Sequence, residues 1–324
     1  MMRPPVLYKY RHFNDRTIEL LCADRVYYAD PSTFNDPLDT RPCVEADCDI
    51  RTLERTVQEM VRRRVNAEMR AAADAVKYRG PKTMAHIEKH SEAAALKMID
   101  TLQYQASDPE YSDDVLDAYT FVVTRAIEDE LLRQYNKGIL SLASRHDCPL
   151  MWSHYGDQHR GLCIGYAAPT HEQAPDWAIE LHEVVYGGDR NVRASLVAAM
   201  VLEDNAQARR EVDSAVLLRK APDWQYEKEW RLLGSRGASD SPLEMVEVVF
   251  GMRCDSTVMH TVARALSGRD KEVRLYEMHE VRGTFELTRS EVDVGELSAY
   301  YPRRAQTIFE EFAPFTEQDD ESPC

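Results

Sequence analysis

No run of about 18 apolar residues occurs in the 324-residue chain, so no membrane span is expected. Met1-Met2-Arg3-Pro4-Pro5 leads directly into a strand-like segment, with no apolar stretch of signal-peptide length. Glycine (13) and proline (15) are too few for collagen-like or low-complexity classes. The seven cysteines are Cys22, Cys43, Cys48, Cys148, Cys163, Cys254 and Cys324. Their number is odd, no CxxC occurs, and only Cys43 and Cys48 lie close together. The expectation is reduced thiols in a cytoplasmic protein, with neither a disulfide framework nor a structural zinc site. GxGxxG, the P-loop, GxSxG and HExxH are also missing. Rossmann hydride transfer, P-loop hydrolysis and serine hydrolase chemistry lose support accordingly. Positive charge is in the minority: 40 Lys+Arg against 56 Asp+Glu leaves −16. That balance argues against nucleic acid or an anionic membrane as the main partner.

What is present is an ordinary globular composition, 44% hydrophobic and 30% charged. In the first region, Val6–Arg11 reads as a strand, Asp15 as the N-cap of a short helix with Ile18, Leu20 and Leu21, and Arg25–Ala29 as a second strand. Asp30–Asp39, with two prolines, reads as a constrained loop. Region 50–136 is helical, with Ile50, Leu53, Val57, Met60 and Val61 opening a stripe at three-and-four spacing. Further helices carry Met84 to Leu102 and span Asp113 to Tyr135.

From 137 to about 302 the pattern is mixed. Strands are expected at Gly138–Ser144, Arg160–Tyr166, Leu181–Tyr186, Tyr226–Leu233, Leu243–Phe250 and Val273–His279. Short helices are expected at Pro149–Tyr155, 192–204 and 206–219. The expected architecture is one α+β domain over 1–302, a small mixed or antiparallel sheet system of short strands, with 50–136 as a large helical insertion. Residues 303–324 read as a C-terminal helix, from about Thr307, and an acidic tail from Glu317.

Four local signatures stand out: Tyr8-Lys9-Tyr10-Arg11; Phe34-Asn35-Asp36-Pro37-Leu38-Asp39; Met151-Trp152-Ser153-His154-Tyr155 with Arg160-Gly161-Leu162-Cys163-Ile164; and Tyr226-Glu227-Lys228-Glu229-Trp230-Arg231. In this order, over about 6–235, they resemble a bacterial family of intracellular proteins that carries a domain of unknown function. Its signatures are YKYR, FNDPFD, MWxHYxxxHxG and EKEWR, and Leu38 replaces the usual Phe. The element order also bears a distant likeness to the ADP-ribosyltransferase superfamily. There an early strand supplies an Arg or His that holds NAD, and a later strand supplies a Glu.

That likeness implies an NAD-handling enzyme, ADP-ribosyltransferase-like or NAD-glycohydrolase-like, of the toxin or phage-defence kind. Arg11 would clamp the diphosphate and Glu229 would be the catalytic carboxylate, with Glu227 and His154 assisting. Lys9, Arg160 and Arg231 would gather positive charge around a dianionic ligand. Tyr10, Tyr28, Trp152 and Tyr155 would line the site or stack on rings, with Ser32 at its rim. Glu227 and Glu229, two apart on a strand, would face the same side.

Blander readings stand beside these. Glu227, Glu229 and Arg231 also fit a solvated strand face with cross-strand ion pairs. His154 also fits a capping or core histidine, and it lies five residues from His159, not at metal-pair spacing. Asn35, Asp36 and Asp39 fit a turn better than a cation site. Two other functions remain open. One is a metal-dependent nuclease or phosphoesterase using Asp36, Asp39, His154 and Glu229. The other is a binding module whose helical insertion docks a protein partner. The NAD reading expects no metal.

Overall fold

β1 (Val6–Arg11) buries Leu7 on one face and Tyr8 and Tyr10 on the other. In this computed structural model residues 4–78, 80, 82–108, 114–135, 137–167 and 180–303 are described. After β1 come α1 (Asp15–Cys22), β2 (Arg25–Tyr28), β3 (Cys43–Glu45), α2 (Ile50–Ala75), α3 (Thr83–Ala106) and α4 (Val115–Gln134). The chain continues through β4 (Lys137–Ala143), α5 (Pro149–His154), β5 (Leu162–Ala167), β6 (Leu181–Glu183), β7 (Val185–Tyr186) and β8 (Asn191–Arg193). Next are α6 (Ala194–Leu202), α7 (Ala206–Leu217), β9 (Arg219–Lys220), β10 (Glu229–Ser235), β11 (Gly237–Asp240) and β12 (Glu244–Phe250). It closes with α8 (Ser256–Leu266), β13 (Arg274–Glu280), β14 (Leu287–Glu291) and α9 (Val294–Tyr300).

Eight strands form one mixed sheet in the order β14-β13-β12-β5-β1-β4-β10-β6. Only β12 and β13 run parallel. The fold is therefore α+β, as the alternation of short strands and helices predicts. Three two-stranded ladders flank the sheet: β11-β2, β3-β8 and β7-β9.

The helical insertion lies between β3 and β4. Leu53, Val57, Met60 and Val61 bury one stripe of α2 against α3, α4 and α6. Arg62, Arg63 and Arg64 lie off the stripe in ion pairs with Glu59, Glu88, Asp204, Glu68 and the fully buried Glu130. Among the described residues, no helix is long and apolar enough to cross a membrane.

Local chemistry corrects several sequence expectations. Asn14, not Asp15, caps α1, accepting from the Thr17 amide at 2.8 Å. The expected strand over Leu181–Tyr186 is two pieces, β6 on β10 and β7 on β9. The expected strand from Tyr226 begins only at Glu229. Pro222 opens a 3-10 turn through Glu227, and Lys228 adopts a left-handed conformation (φ 44°) before β10. β10 is also buried on both faces from Glu229 to Leu233 rather than half-buried, because cores lie on either side of it. The helix and tail expected at the C-terminus fall on 304–324, outside the described residues.

The central irregularity is a split in the sheet. β1 pairs with β5 along its whole length, from Val6↔Ala167 to Arg11↔Leu162. It pairs with β4 only at Tyr8↔Ala143. The other end of β4 is bridged by Ala29, just after β2, at Ile139. Between those two points the edge of β4 is open.

Candidate active site

A cavity of about 480 Å³ opens where β1 and β4 part. Its volume is in the range of small-molecule sites. Arg11, His154, Glu227 and Glu229 all line it. Guanidinium, imidazole and carboxylates from distant parts of the sequence thus face one hollow.

One lip is cationic. Lys9 and Arg11 leave β1 on the same face, two residues apart. Lys9 Nζ crosses the gap and donates to the Ser141 carbonyl at 2.9 Å. Burial and the neighbouring Arg11 charge push the Lys9 pKa down to about 8, with Glu229 and Glu227 pulling the other way. Arg11 is half-buried. Among the described residues no carboxylate or carbonyl accepts from its guanidinium. Burial lowers its pKa, and the nearby positive charge of Arg16 adds to that. A half-buried guanidinium without an internal partner is costly unless something anionic meets it. Gly161 fixes the end of this strand: a Cβ there would lie 2.2 Å from the Arg11 carbonyl, so only glycine lets the loop after α5 close over it.

The opposite wall is an alternating charge network. Arg231 is fully buried behind it and donates to Asp39 at 2.7 Å and to Glu229 Oε1 at 2.9 Å. Lys220 Nζ lies 2.5 Å from Glu227 Oε2, 3.0 Å from Glu229 Oε2 and 3.6 Å from Asp39. Tyr155 donates to Glu227 Oε1 at 2.9 Å, and the Asn35 amide donates to Tyr155 at 3.2 Å.

The two glutamates are pushed apart in acidity. Burial disfavours the charge on Glu229, but Arg231 and Lys220 outweigh it and hold the pKa down at about 2. Glu227 is raised, chiefly by burial and then by the Glu229 charge, with Lys220 opposing. Such divergence separates a permanently ionised carboxylate from one able to exchange a proton.

These two glutamates do not share a side by strand alternation, since Glu227 precedes β10. Lys220 brings them together instead. The solvated-face reading also fails here, because Glu227, Glu229 and Arg231 are all buried.

The remaining predicted residues divide. Tyr10 and Tyr155 line the cavity, with Tyr10 donating to the Arg145 carbonyl at 3.0 Å. His154 sits exposed on the last turn of α5, at the rim. Trp152 does not reach the cavity: it is fully buried, edge-on to Tyr10, and its indole donates to the His146 carbonyl. Tyr28 is core, wedged where Gly138 and Gly234 leave no room for a Cβ. Strand alternation places Tyr27 at the cavity in its stead.

Ser32 is spent on Asp30 within a 3-10 turn and does not line the cavity. Arg160 is exposed after three consecutive left-handed residues, Asp157 to His159, which turn it away. Arg231 supports the wall without lining it. Of the four cations expected to converge, Lys9 and Arg11 do so on the cavity surface.

Sequence reasoning missed Lys220, Tyr27 and Phe34, which also line the cavity. Lys220 carries no local motif that would mark it. The Asn35–Asp39 segment is a turn: Asp36 accepts from the Leu38 amide and the Trp224 indole, both at 2.8 Å. Asp39 faces the cavity with its carboxylate taken by Arg231.

Residues 151–232 match the model of a family described as a protein of unknown function (DUF2971). That stretch begins at Met151 within α5 and carries Gly161, Lys220, Glu227, Glu229 and Arg231. No curated protein and no solved structure matches the chain.

Proposed function

We propose that the chain is an NAD-handling enzyme that cleaves the bond between nicotinamide and ribose, as an ADP-ribosyltransferase or NAD glycohydrolase. The observation that carries this reading is the unpaired Arg11 guanidinium facing, across the split, a carboxylate pair of divergent acidity. Arg11 and Lys9 supply charge for a diphosphate. Breaking the C1′–N bond sends its electron pair to nicotinamide and leaves an oxocarbenium-like ribosyl centre. Glu229, held ionised, stabilises that cation. Water or an acceptor hydroxyl then forms the new C1′–O bond, and its proton passes to Glu227. The Glu229 oxygens accept three bonds, from Arg231 and Lys220, and those of Glu227 accept one each, from Tyr155 and Lys220, so Glu227 keeps more acceptor capacity for a substrate hydroxyl. An enzyme of this kind would suit a toxin or phage-defence effector.

The test is nicotinamide release from NAD by the full chain, followed chromatographically with and without chelator. The wild-type protein should release nicotinamide in both conditions, and Glu227→Gln and Arg11→Gln should release it at least about tenfold more slowly. No release at stoichiometric enzyme, or release that stops with chelator, would overturn the proposal.

A further inference from the structure

Arg16, in the first turn of α1, lays its guanidinium over the Tyr27 ring, 3.6 Å from the centroid. Tyr27 lines the cavity from β2. Its hydroxyl makes no hydrogen bond among the described residues, whereas those of Tyr8, Tyr10 and Tyr155 all do. The ring is thus backed on one face by a guanidinium, with its hydroxyl left unbonded among the described residues. Arg16 also lacks a carboxylate partner among the described residues, as do Lys9 and Arg11. In a chain of net charge −16, two of these cations, Arg11 and Arg16, lie close to one another beside Tyr27, whereas Lys9 lies within reach of the Glu227 and Glu229 charges. Glu227, Glu229 and Asp39 gather instead around Lys220 on the cavity wall.

A dinucleotide of the NAD type has a matching asymmetry: a cationic pyridinium at one end, two phosphates between, and a neutral purine at the other. The Arg11 and Arg16 guanidinium groups beside Tyr27 repel a pyridinium and leave a purine unaffected. A guanidinium on one face of a tyrosine also draws electron density from the ring. The other face then favours a neutral, electron-rich base. We infer that Tyr27, backed by Arg16, is the platform on which the purine of the dinucleotide stacks. The nicotinamide end accordingly lies toward Glu227 and Glu229. This rests on the NAD reading above and adds a direction and a base-reading residue to it.

Calorimetric titration of the full chain with pyrophosphate, ADP and nicotinamide mononucleotide tests it. ADP should bind wild-type protein about tenfold or more tighter than pyrophosphate, the size of one base–aromatic stack. Tyr27→Ala should bring ADP to the pyrophosphate level and leave pyrophosphate and the mononucleotide unchanged. Tyr27→Phe should behave as wild type, which separates loss of stacking from loss of fold. Arg16→Ala should lose part of the advantage. The inference is overturned if ADP binds wild type no tighter than pyrophosphate, or if Tyr27→Ala weakens the mononucleotide as much as ADP. Either result with pyrophosphate still bound leaves the NAD reading standing. Binding of none of the three removes both.

Discussion

Lys9 Nζ and the Ser141 carbonyl, 2.9 Å apart, join β1 and β4 where no main-chain ladder does. A ladder of amide bonds would close the sheet, since main-chain donors and acceptors rarely stay unpaired inside a protein. A side chain satisfies the carbonyl here and leaves the cleft open beside it. The same ammonium is one of the cations offered to a ligand.

Titration of Lys9 should be visible in stability. Its folded pKa, about 8, lies below the unfolded value of 10.5. The buried ammonium therefore costs stability below pH 8, and the cost is relieved as pH rises from 8 to 10.5. Urea unfolding should show wild-type stability rising across that window relative to Lys9→Met. Pyrophosphate affinity should fall over the same window in wild type alone. A constant difference between the two proteins would refute the assignment.

Glu229 should matter more for folding than any other residue of the cleft. Glu229→Gln leaves Lys220 and Arg231 short of a buried counter-charge, a loss of about 3–5 kcal/mol by comparison with other broken buried pairs. In wild type the contribution is complete above the unfolded pKa of 4.5 and is lost as pH falls through about 2. Chemical denaturation between pH 2 and pH 7 checks both statements. A variant as stable as wild type would contradict the network.

Glu227→Gln keeps the acceptor for Tyr155 and removes the proton acceptor. Nicotinamide release should drop by about 10²–10⁴, the usual range for a lost general base. ADP affinity should stay near wild type. The acid limb of the wild-type rate profile should lie above pH 4.5, because the Glu227 pKa is raised. A limb below that value would assign the proton transfer elsewhere.

Arg11→Gln should separate binding from stability. With no internal partner among the described residues, the guanidinium contributes little to the fold, and burial already works against its charge. Unfolding free energy should stay equal to wild type or rise, since the half-buried charge is removed. Pyrophosphate affinity should fall by about tenfold or more, the value of a charge-assisted hydrogen bond. A large loss of stability would mean that Arg11 is structural.

Much of this was legible along the chain. The stripe from Leu53 to Val61 foretold the buried face of α2 because helix periodicity survives any packing. The two prolines and Asx residues of Asp30–Asp39 foretold a rigid turn. Errors came where one residue changes a face or a cap. Tyr27 and Tyr28 are equivalent in composition, and only the pairing of β2 with β11, Tyr27 opposite Ala238, and the contacts of Tyr28 with Gly138 and Gly234 decide which one sees the cleft. Trp152 and Arg160 sit in the same signature as His154, yet one turns into the core and the other to solvent.

Residue chemistry and local periodicity, carried within a few positions of the chain, determined most of the longer elements and the α+β class, while the likeness to the ADP-ribosyltransferase superfamily pointed to Arg11, Glu227 and Glu229, which line the cavity. Long-range geometry decided the rest. The parting of β1 from β4, the meeting of Lys220 with carboxylates from three segments and the backing of Tyr27 by Arg16 depend on contacts between elements far apart in sequence or held by separate backbone frames. Burial then set the acidities, since the same carboxyl group ionises or keeps its proton according to the charges and the water that surround it.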